Sequence, residues 1–506
     1  MNDEEQSSVS SSKRLKGSGI QASSTRLESE AAIEAASYAL EVLSCTNGTR
    51  VYSLGLTLKD DGLTLWYYDA SGLVKSTEML SLITNFEDVV AVLIALACCT
   101  PRQWGAIPSL NPPKTISFNE TFPPSNLSGF SVDLGRPDTE NAVAITLGAP
   151  IFCQYALVGR RTFVYEATSP HQSLSTRVFV AKFSQQVKSR RPEQEYVEIA
   201  VRAGITHVPE ILFADDIWNL SDGPRGIFHR GGQPYEDRVL RLIVSSKYIP
   251  LQVVLRKHPE HLETMARQML QCLHDLRYKA KILHRDVSVN NIMCEMRGDS
   301  FFFILNDFDL ATVVTERGES TGATSTHRTG TLPFMAWEFT MNAGRVPPAE
   351  ITHRLHHDFQ SLYWAAMWCT GKVEPVTDKI LRHRIDIAIL RWEKGDFYDI
   401  SSRKLNLLTI WNDFADFPMT PSFEGHRIWL KKWRLVFSEA IAEKARLENL
   451  DARCSGIYGA VGDAIMDDLV SLERIAKTVG WKDLATGSNA SSFSSWLQWL
   501  LPASLY

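Results

Sequence analysis

Alanine and leucine recur at helical spacing from Glu30 to Leu43 and predict a first helix. Three predicted strands follow, Val51–Leu58, Leu63–Tyr68 and Leu73–Thr77, separated by the turn sequences Asp60-Asp61-Gly62 and Ser71-Gly72. Phe86–Cys99 returns to a helical pattern so apolar that it reads as buried. A proline-rich connector, Pro108–Pro124, leads to strands near Phe130–Leu134 and Ala142–Leu147, then to Leu157–Ala167, a turn-rich insertion, and an apolar strand through Lys182. Leu240–Val244 is a further strand. In His261–Lys279 the residues Leu262, Met265, Met269, Leu270, Leu273 and Leu276 form one helical stripe, which is core packing rather than a cofactor box. Phe301–Leu305 reads as a buried strand, and helices dominate after Asp358, including Arg427–Leu450 and Gly462–Val479. Strands crowd the first half and helices the second, so the class is α+β.

Composition narrows the possibilities. A chain of 506 residues should hold two or more domains, because single cores seldom grow beyond about 250–300 residues. A net charge of −5 argues against a dedicated nucleic-acid binder. The eight cysteines form no CxxC pair, and Cys98-Cys99 read as core residues in a reducing compartment. The longest apolar run, Val89–Cys99, is too short to span a bilayer. With no cationic-then-apolar signal at Met1-Asn2-Asp3-Glu4-Glu5, the expected location is intracellular and cytoplasmic, and the sequon at Asn119 should carry no glycan. Residues 1–29 are serine-rich and predicted to be a disordered tail; Lys13-Arg14-Leu15-Lys16 within them reads as solvated charge, with a nuclear signal as the alternative.

The chemistry concentrates in Ile282-Leu283-His284-Arg285-Asp286-Val287-Ser288-Val289-Asn290-Asn291 and Ile304-Leu305-Asn306-Asp307-Phe308-Asp309. Asp286 precedes Asn291 by five residues and Asp307 by twenty-one, with Asp307 just past an apolar strand. Phosphoryl transfer needs little covalent chemistry from a protein. It needs one carboxylate to orient a hydroxyl nucleophile and oxygen ligands to hold magnesium on nucleotide phosphates. Asp286 suits the first role, Asn291 and Asp307 the second. An isolated His-Arg-Asp on a solvated loop would mean nothing; the flanking strands set this one apart.

These motifs resemble the eukaryotic protein kinase superfamily. Arg177-Val178-Phe179-Val180-Ala181-Lys182-Phe183 is similar to the strand whose lysine contacts the α and β phosphates. An amine ending an apolar strand calls for a carboxylate partner, Glu193 on the next helix, with Glu195 as the alternative. Leu157-Val158-Gly159-Arg160-Arg161 takes the position of the glycine-rich phosphate loop, but only Gly159 remains and Arg161 stands where a glycine is expected. Either this loop closes less tightly or arginine side chains replace amide contacts. Gly330-Thr331-Leu332-Pro333-Phe334-Met335-Ala336-Trp337-Glu338 resembles the end of an activation segment, which makes Glu338 a structural anchor. Asp358 resembles the helix-start aspartate that braces the catalytic loop, and simple capping explains it nearly as well. Ser288 after the catalytic aspartate, Asp-Phe-Asp in place of Asp-Phe-Gly, and the amino-terminal extension resemble the fungal-type protein kinases in particular.

The resemblance implies a bilobal protein-kinase-like fold: an amino-terminal α+β module at 30–110, a strand-rich small lobe with connector at 111–250, a helical large lobe at 251–485 and a tail at 486–506. The hinge is expected near Ser245–Ile249, with nucleotide between the lobes. It implies ATP and Mg2+ as cofactors, a protein substrate, and transfer to serine or threonine. Lys182 and Glu193 would position the phosphates, Gly159 would line the nucleotide, and Arg285 beside the catalytic Asp286 would need a counter-charge. Phosphorylation of Thr315, Ser320, Thr321, Thr324, Ser325 or Thr326 would supply one. A pseudokinase scaffold and a small-molecule phosphotransferase are the rival classes; the latter usually has glycine at the Arg285 position. Oligomeric state is not legible.

Overall fold

Among the described residues, the alternating runs read from the sequence become antiparallel sheets of four and six strands, with two smaller ones of three and two. The computed structural model describes residues 18–113, 125–134, 143–170, 177–228, 235–315, 330–343, 351–453 and 465–484. The chain is mixed helix and sheet and divides into two units, residues 1–190 with 211–247 and residues 191–210 with 248–506.

The first unit begins with α1 (Ser18–Cys45), then β1 (Ser53–Lys59), β2 (Gly62–Asp69), β3 (Gly72–Lys75) and β4 (Leu80–Ser81). In this sheet β2 pairs with each of the other three. The helix starts at Ser18, so residues 18–29, predicted as tail, are helical. Once the alanine-rich stretch beyond Glu30 is nucleated, each added residue gains a backbone hydrogen bond without a new nucleation cost. The helix α2 (Phe86–Ala97) is formed but not buried: only Val89 is shielded, and Phe86, Leu93 and Ile94 are largely exposed. Its neighbour β4 has two residues and can cover only a narrow strip of it. Cys98, just past the end of α2, is likewise exposed rather than core.

The second sheet runs β5–β6–β7–β8–β10–β9, with β5 at Ser131–Leu134, β6 at Val143–Cys153, β7 at Phe163–Thr168, β8 at Phe179–Val187, β9 at Ile211–Asn219 and β10 at Arg238–Ser246. Sequence pattern does not reveal β9, because Asp215-Asp216 interrupts its alternation. It is an edge strand, where acidic groups discourage pairing with another chain, and Asp216 receives Arg241 from β10 at 2.6 Å. Val51, Tyr52 and Tyr67 share a core with Phe163, Tyr165, Phe183 and Leu242, so the amino-terminal elements and the second sheet are packed as one body. A buried bidentate pair adds to this: Arg225 on α4 (Pro224–Phe228) donates to both carboxylate oxygens of Asp69 at 2.7 Å.

The second unit is mostly helical. It holds α3 (Glu193–Arg202), α5 (Leu251–Lys257), α6 (Leu262–Tyr278), α7 (Trp337–Ala343), α8 (Leu355–Lys372), α9 (Lys379–Glu393), α10 (Phe397–Thr409), α11 (Trp411–Ala415), α12 (Arg427–Arg453) and α13 (Leu472–Val479). The α6 stripe is wholly buried, as its spacing predicts. α8 is buried on nearly every side; its Trp364 meets Trp392 at 5.4 Å, which stacks on Phe417. The helix predicted from Gly462 to Val479 is interrupted: Val470 is a turn and Ser471 caps α13 through Arg474 N at 3.3 Å, while residues 454–464 lie outside the described ones. No helix among the described residues is long and apolar enough to cross a membrane.

Lys404 on α10 is fully buried, which nothing in its sequence neighbourhood announces. Its Nζ donates to the Met335 carbonyl at 2.6 Å and lies 5.3 Å from the Trp364 ring. Burial pushes its pKa well below the ordinary lysine value. The unfolded chain therefore holds more protons than the folded one between the depressed pKa and about 10.4, and stability rises with pH across that window by up to about 1.4 kcal/mol per unit. Lys404→Met should remove this rise, leaving a melting temperature flatter from pH 7 to 10 than that of the parent. Parallel pH slopes would refute the assignment.

Candidate active site

Two short ladders fix the ends of the 284–291 loop. β12 (Ile282–Leu283) pairs with β15 (Thr312–Val313), and β13 (Ile292–Arg297), flanked by β11 (Ile249–Pro250), pairs with β14 (Ser300–Leu305). Between them Val287, Val289 and Ile292 point into the core, which draws the polar residues of the loop inward too: His284, Asp286, Ser288 and Asn291 are all buried. Buried polar groups must find partners, and these do. Asn291 Nδ2 donates to the Asp286 carbonyl at 2.8 Å and to its Oδ2 at 3.2 Å. The other carboxylate oxygen, Oδ1, accepts from Thr331 N at 2.8 Å and Thr331 Oγ1 at 2.9 Å. Three donors thus hold the Asp286 carboxylate in one orientation. Asn291, its nitrogen committed, presents a carbonyl oxygen, a hard ligand of the kind magnesium takes.

Asp358, in the first turn of α8, braces the loop from below. It accepts from His284 N at 3.0 Å, Arg285 N at 3.1 Å and His353 Nε2 at 2.8 Å. Burial alone would raise the Asp358 pKa, but His353 and the hydrogen bonds from the loop hold it below the ordinary aspartate value. Arg285 takes a left-handed backbone, φ 70°, so that its amide can reach this carboxylate. The brace expected from sequence is therefore present, and it is more than a helix cap.

Asp307 follows the strand that delivers it. Asn306 N donates to the Asn291 carbonyl at 2.7 Å, which ties the two magnesium candidates into one stretch of backbone. Asp307 itself is left-handed, φ 63°, a conformation that costs of order 1–3 kcal/mol and survives where the surroundings enforce it. Glu193 Oε1 accepts from Phe308 N at 3.0 Å, and carboxylate oxygens of Glu193, Asp307 and Asp309 lie within 4.8 Å of one another. Three carboxylates so close repel each other unless a cation sits among them. Asp309, which takes the place of the usual glycine, supplies one of them.

Lys182 belongs to the first unit. It sits on β8 opposite Val164 and Ile243, on the face away from the buried Ala181 and Phe183. Gly159 is in the left-handed region, φ 94°, and its amide donates to the Ala70 carbonyl at 2.8 Å, so that hydrogen is spent within the protein. Arg161 is buried, and its guanidinium donates to the carbonyls of Val51 at 2.8 Å, Arg50 at 3.1 Å and Leu43 at 3.3 Å. Of the two expectations for this loop, arginine in place of amide contacts does not apply to Arg161. Its side chain closes the amino-terminal elements onto the sheet because three carbonyls there need a donor.

Thr331 is the residue that sequence reading missed. It lies 45 positions from Asp286, and only its place just after Gly330 in the segment motif marked it. Thr315 is described, whereas Ser320, Thr321, Thr324, Ser325 and Thr326 lie outside the described residues, as do Lys13, Arg14, Lys16 and Asn119. Glu338 is buried at the start of α7, with Gln360 Nε2 donating to its Oε2 at 3.2 Å.

The model of one protein family, described as fungal protein kinase, matches residues 4–222 and 219–370. No curated protein matches the chain.

Proposed function

The chain belongs to the fungal protein kinase family, and on that premise we propose that it transfers the γ-phosphate of ATP to serine or threonine hydroxyls of protein substrates. The observation that carries this reading is the Asp286 carboxylate, oriented by Thr331 on one oxygen and Asn291 on the other. An acceptor hydroxyl would hydrogen-bond to this carboxylate, and its oxygen would attack the γ-phosphorus as the bond to the β–γ bridging oxygen breaks. ADP leaves, and the hydroxyl proton passes to Asp286. Asn291 and Asp307 would hold magnesium, which when bound neutralises charge on the phosphates. Asp309 and Glu193 add negative charge beside Asp307, which favours a divalent cation there. Lys182 would contact the α and β phosphates. Glu193, first read as the partner of Lys182, gains a further role as acceptor for the Phe308 amide.

Nucleotide binding without transfer is the second reading. The committed Gly159 amide and the inward Arg161 favour it, because both withdraw contacts from the phosphate loop. One assay separates the two: the full chain with radiolabelled ATP, magnesium and mixed acceptor proteins, beside Asp286→Ala and Lys182→Ala. Magnesium-dependent labelling of serine or threonine that both changes abolish is the expected result. Binding of ATP with no label transferred by the parent would select the scaffold, and equal labelling by parent and variants would reveal a contaminating kinase.

A further inference from the structure

We propose that the groove between α1 and the open edge of β1 docks an extended, uncharged apolar segment of a partner protein, which adds to the first sheet as a further strand. The groove encloses about 780 Å³ and is bordered by every residue of β1, from Ser53 to Lys59, and by Glu34, Tyr38 and Val42 of α1. Both walls belong to the first unit. The helix is fixed in place because Ala35, Ala39 and Leu43 share a core with Trp66 and Tyr68 of β2. The site is independent of nucleotide and of whether the chain transfers phosphate.

Backbone hydrogen bonding dictates what can fill it. Among the described residues β1 pairs with β2 and with no other strand. The residue of β2 opposite Leu56 is Leu65, whose carbonyl accepts from Ser76 N at 3.0 Å and whose amide donates to Ser76 Oγ at 3.2 Å, both on the side away from β1. Leu56 and Leu65 therefore exchange no hydrogen bonds, and the alternation of an antiparallel ladder gives the same for Leu54 and Leu58. The N–H and C=O groups of these three leucines point out of the sheet, and among the described residues nothing bonds to them. Donors and acceptors repeating at strand spacing are satisfied by another strand. A helix, whose backbone is already paired, does not match them.

Side chains set the character of the occupant. Gly55, in the middle of β1, has no local need to be glycine: its φ is not positive, the register across it is unbroken, and an added Cβ would meet the Trp66 Cβ at 3.7 Å, an ordinary contact. A bare position inside a strand costs stability and marks the close approach of another backbone. Leu56 is 38% exposed and Leu58 and Met79 are each 60% exposed, so the rim of the groove is apolar. The charges in its lining, Glu30 and Glu34 against Lys59 and Lys75, cancel, which selects a segment without net charge. A second copy of the chain fits poorly. Pairing two equivalent edges antiparallel puts both α1 helices on one face of the joined sheet, each beside the groove that the other borders.

The test pans a phage-displayed library of random peptides on the full-length chain, then measures the strongest binder, synthesised with a fluorophore, by anisotropy. The expected peptide is apolar and rich in β-branched residues. Its affinity should fall by about tenfold for Leu56→Pro, which removes an edge-facing N–H and no bond to β2. Gly55→Leu should fill the groove and weaken binding as much, with a melting temperature no lower than the parent's. A further measurement needs no variant: methyl groups on every second peptide amide should abolish binding in one register and leave it unchanged in the other, because only alternate amides face β1. Equal binding by both methylated registers would overturn the proposal, as would a library that yields no binder. A chain that is dimeric until Leu56→Pro makes it monomeric would assign the edge to a second copy and overturn it too.

Discussion

Asp286→Asn is expected to lower kcat by about 10²–10⁴-fold, the range for removing a positioned base, with little change in KM for ATP. The substitution preserves volume but not hydrogen-bond chemistry. All three neighbours, Thr331 N, Thr331 Oγ1 and Asn291 Nδ2, donate to the carboxylate. An amide can accept from one side only and turns its own NH2 against a donor on the other. The variant should therefore also loosen Asn291, and the magnesium concentration at half-maximal residual rate should rise. Steady-state kinetics over a magnesium series reads both effects. A kcat within tenfold of the parent would remove Asp286 from its assigned role.

Arg225→Met or Asp69→Leu, made singly, should each destabilise the first unit by about 3–5 kcal/mol, the range for stranding one member of a buried ion pair. The side chains are 8% and 0% exposed, and Asp69 also accepts from Ser71 N at 2.8 Å. With Arg225 gone the Asp69 carboxylate keeps one amide donor in a site closed to water. The double variant should be less damaging than the sum of the singles, because no charge is left stranded. Hydrogen exchange at the amides of β2 is the appropriate readout, since a chain of two units need not unfold in one step. Singles that cost under about 1 kcal/mol would show the pair to be solvated in solution.

The two stability predictions bear on different questions. Lys404 is a buried amine with one carbonyl as its partner, and replacing it should relieve the cost of keeping an ionisable group from water. Asp69 and Arg225 are buried together, and removing one creates a cost. Burial is the same in both cases; the presence of an opposite charge decides the sign.

Local spacing made the 284–291 loop legible. Asp286 and Asn291 are five residues apart, close enough for one loop to bring the amide back onto the carboxylate, and the apolar strand before Asp307 announced where it would emerge. The α6 stripe and the strand alternation were legible for the same reason: their period is a property of adjacent residues. Asp358 was half legible, because a helix-start aspartate has two explanations until its partners are seen. Thr331, Lys404 and Arg161 were not legible as what they are. Lys404 sits between Ile400 and Leu408 on the buried face of α10, and its partner Met335 is 69 positions away.

What the sequence determined by itself was the family, the order of most strands and helices, though not β9, and the short loop in which an aspartate and an asparagine meet. Tertiary structure alone decided that Thr331 completes the hold on Asp286, that Arg161 turns inward, that α2 stays exposed, and that α1 borders the open edge of β1. The reason is range. Helical and strand periods and loop spacings act between residues a few positions apart, whereas a buried donor finds its acceptor only after distant segments have packed, and no local pattern records which of them will arrive.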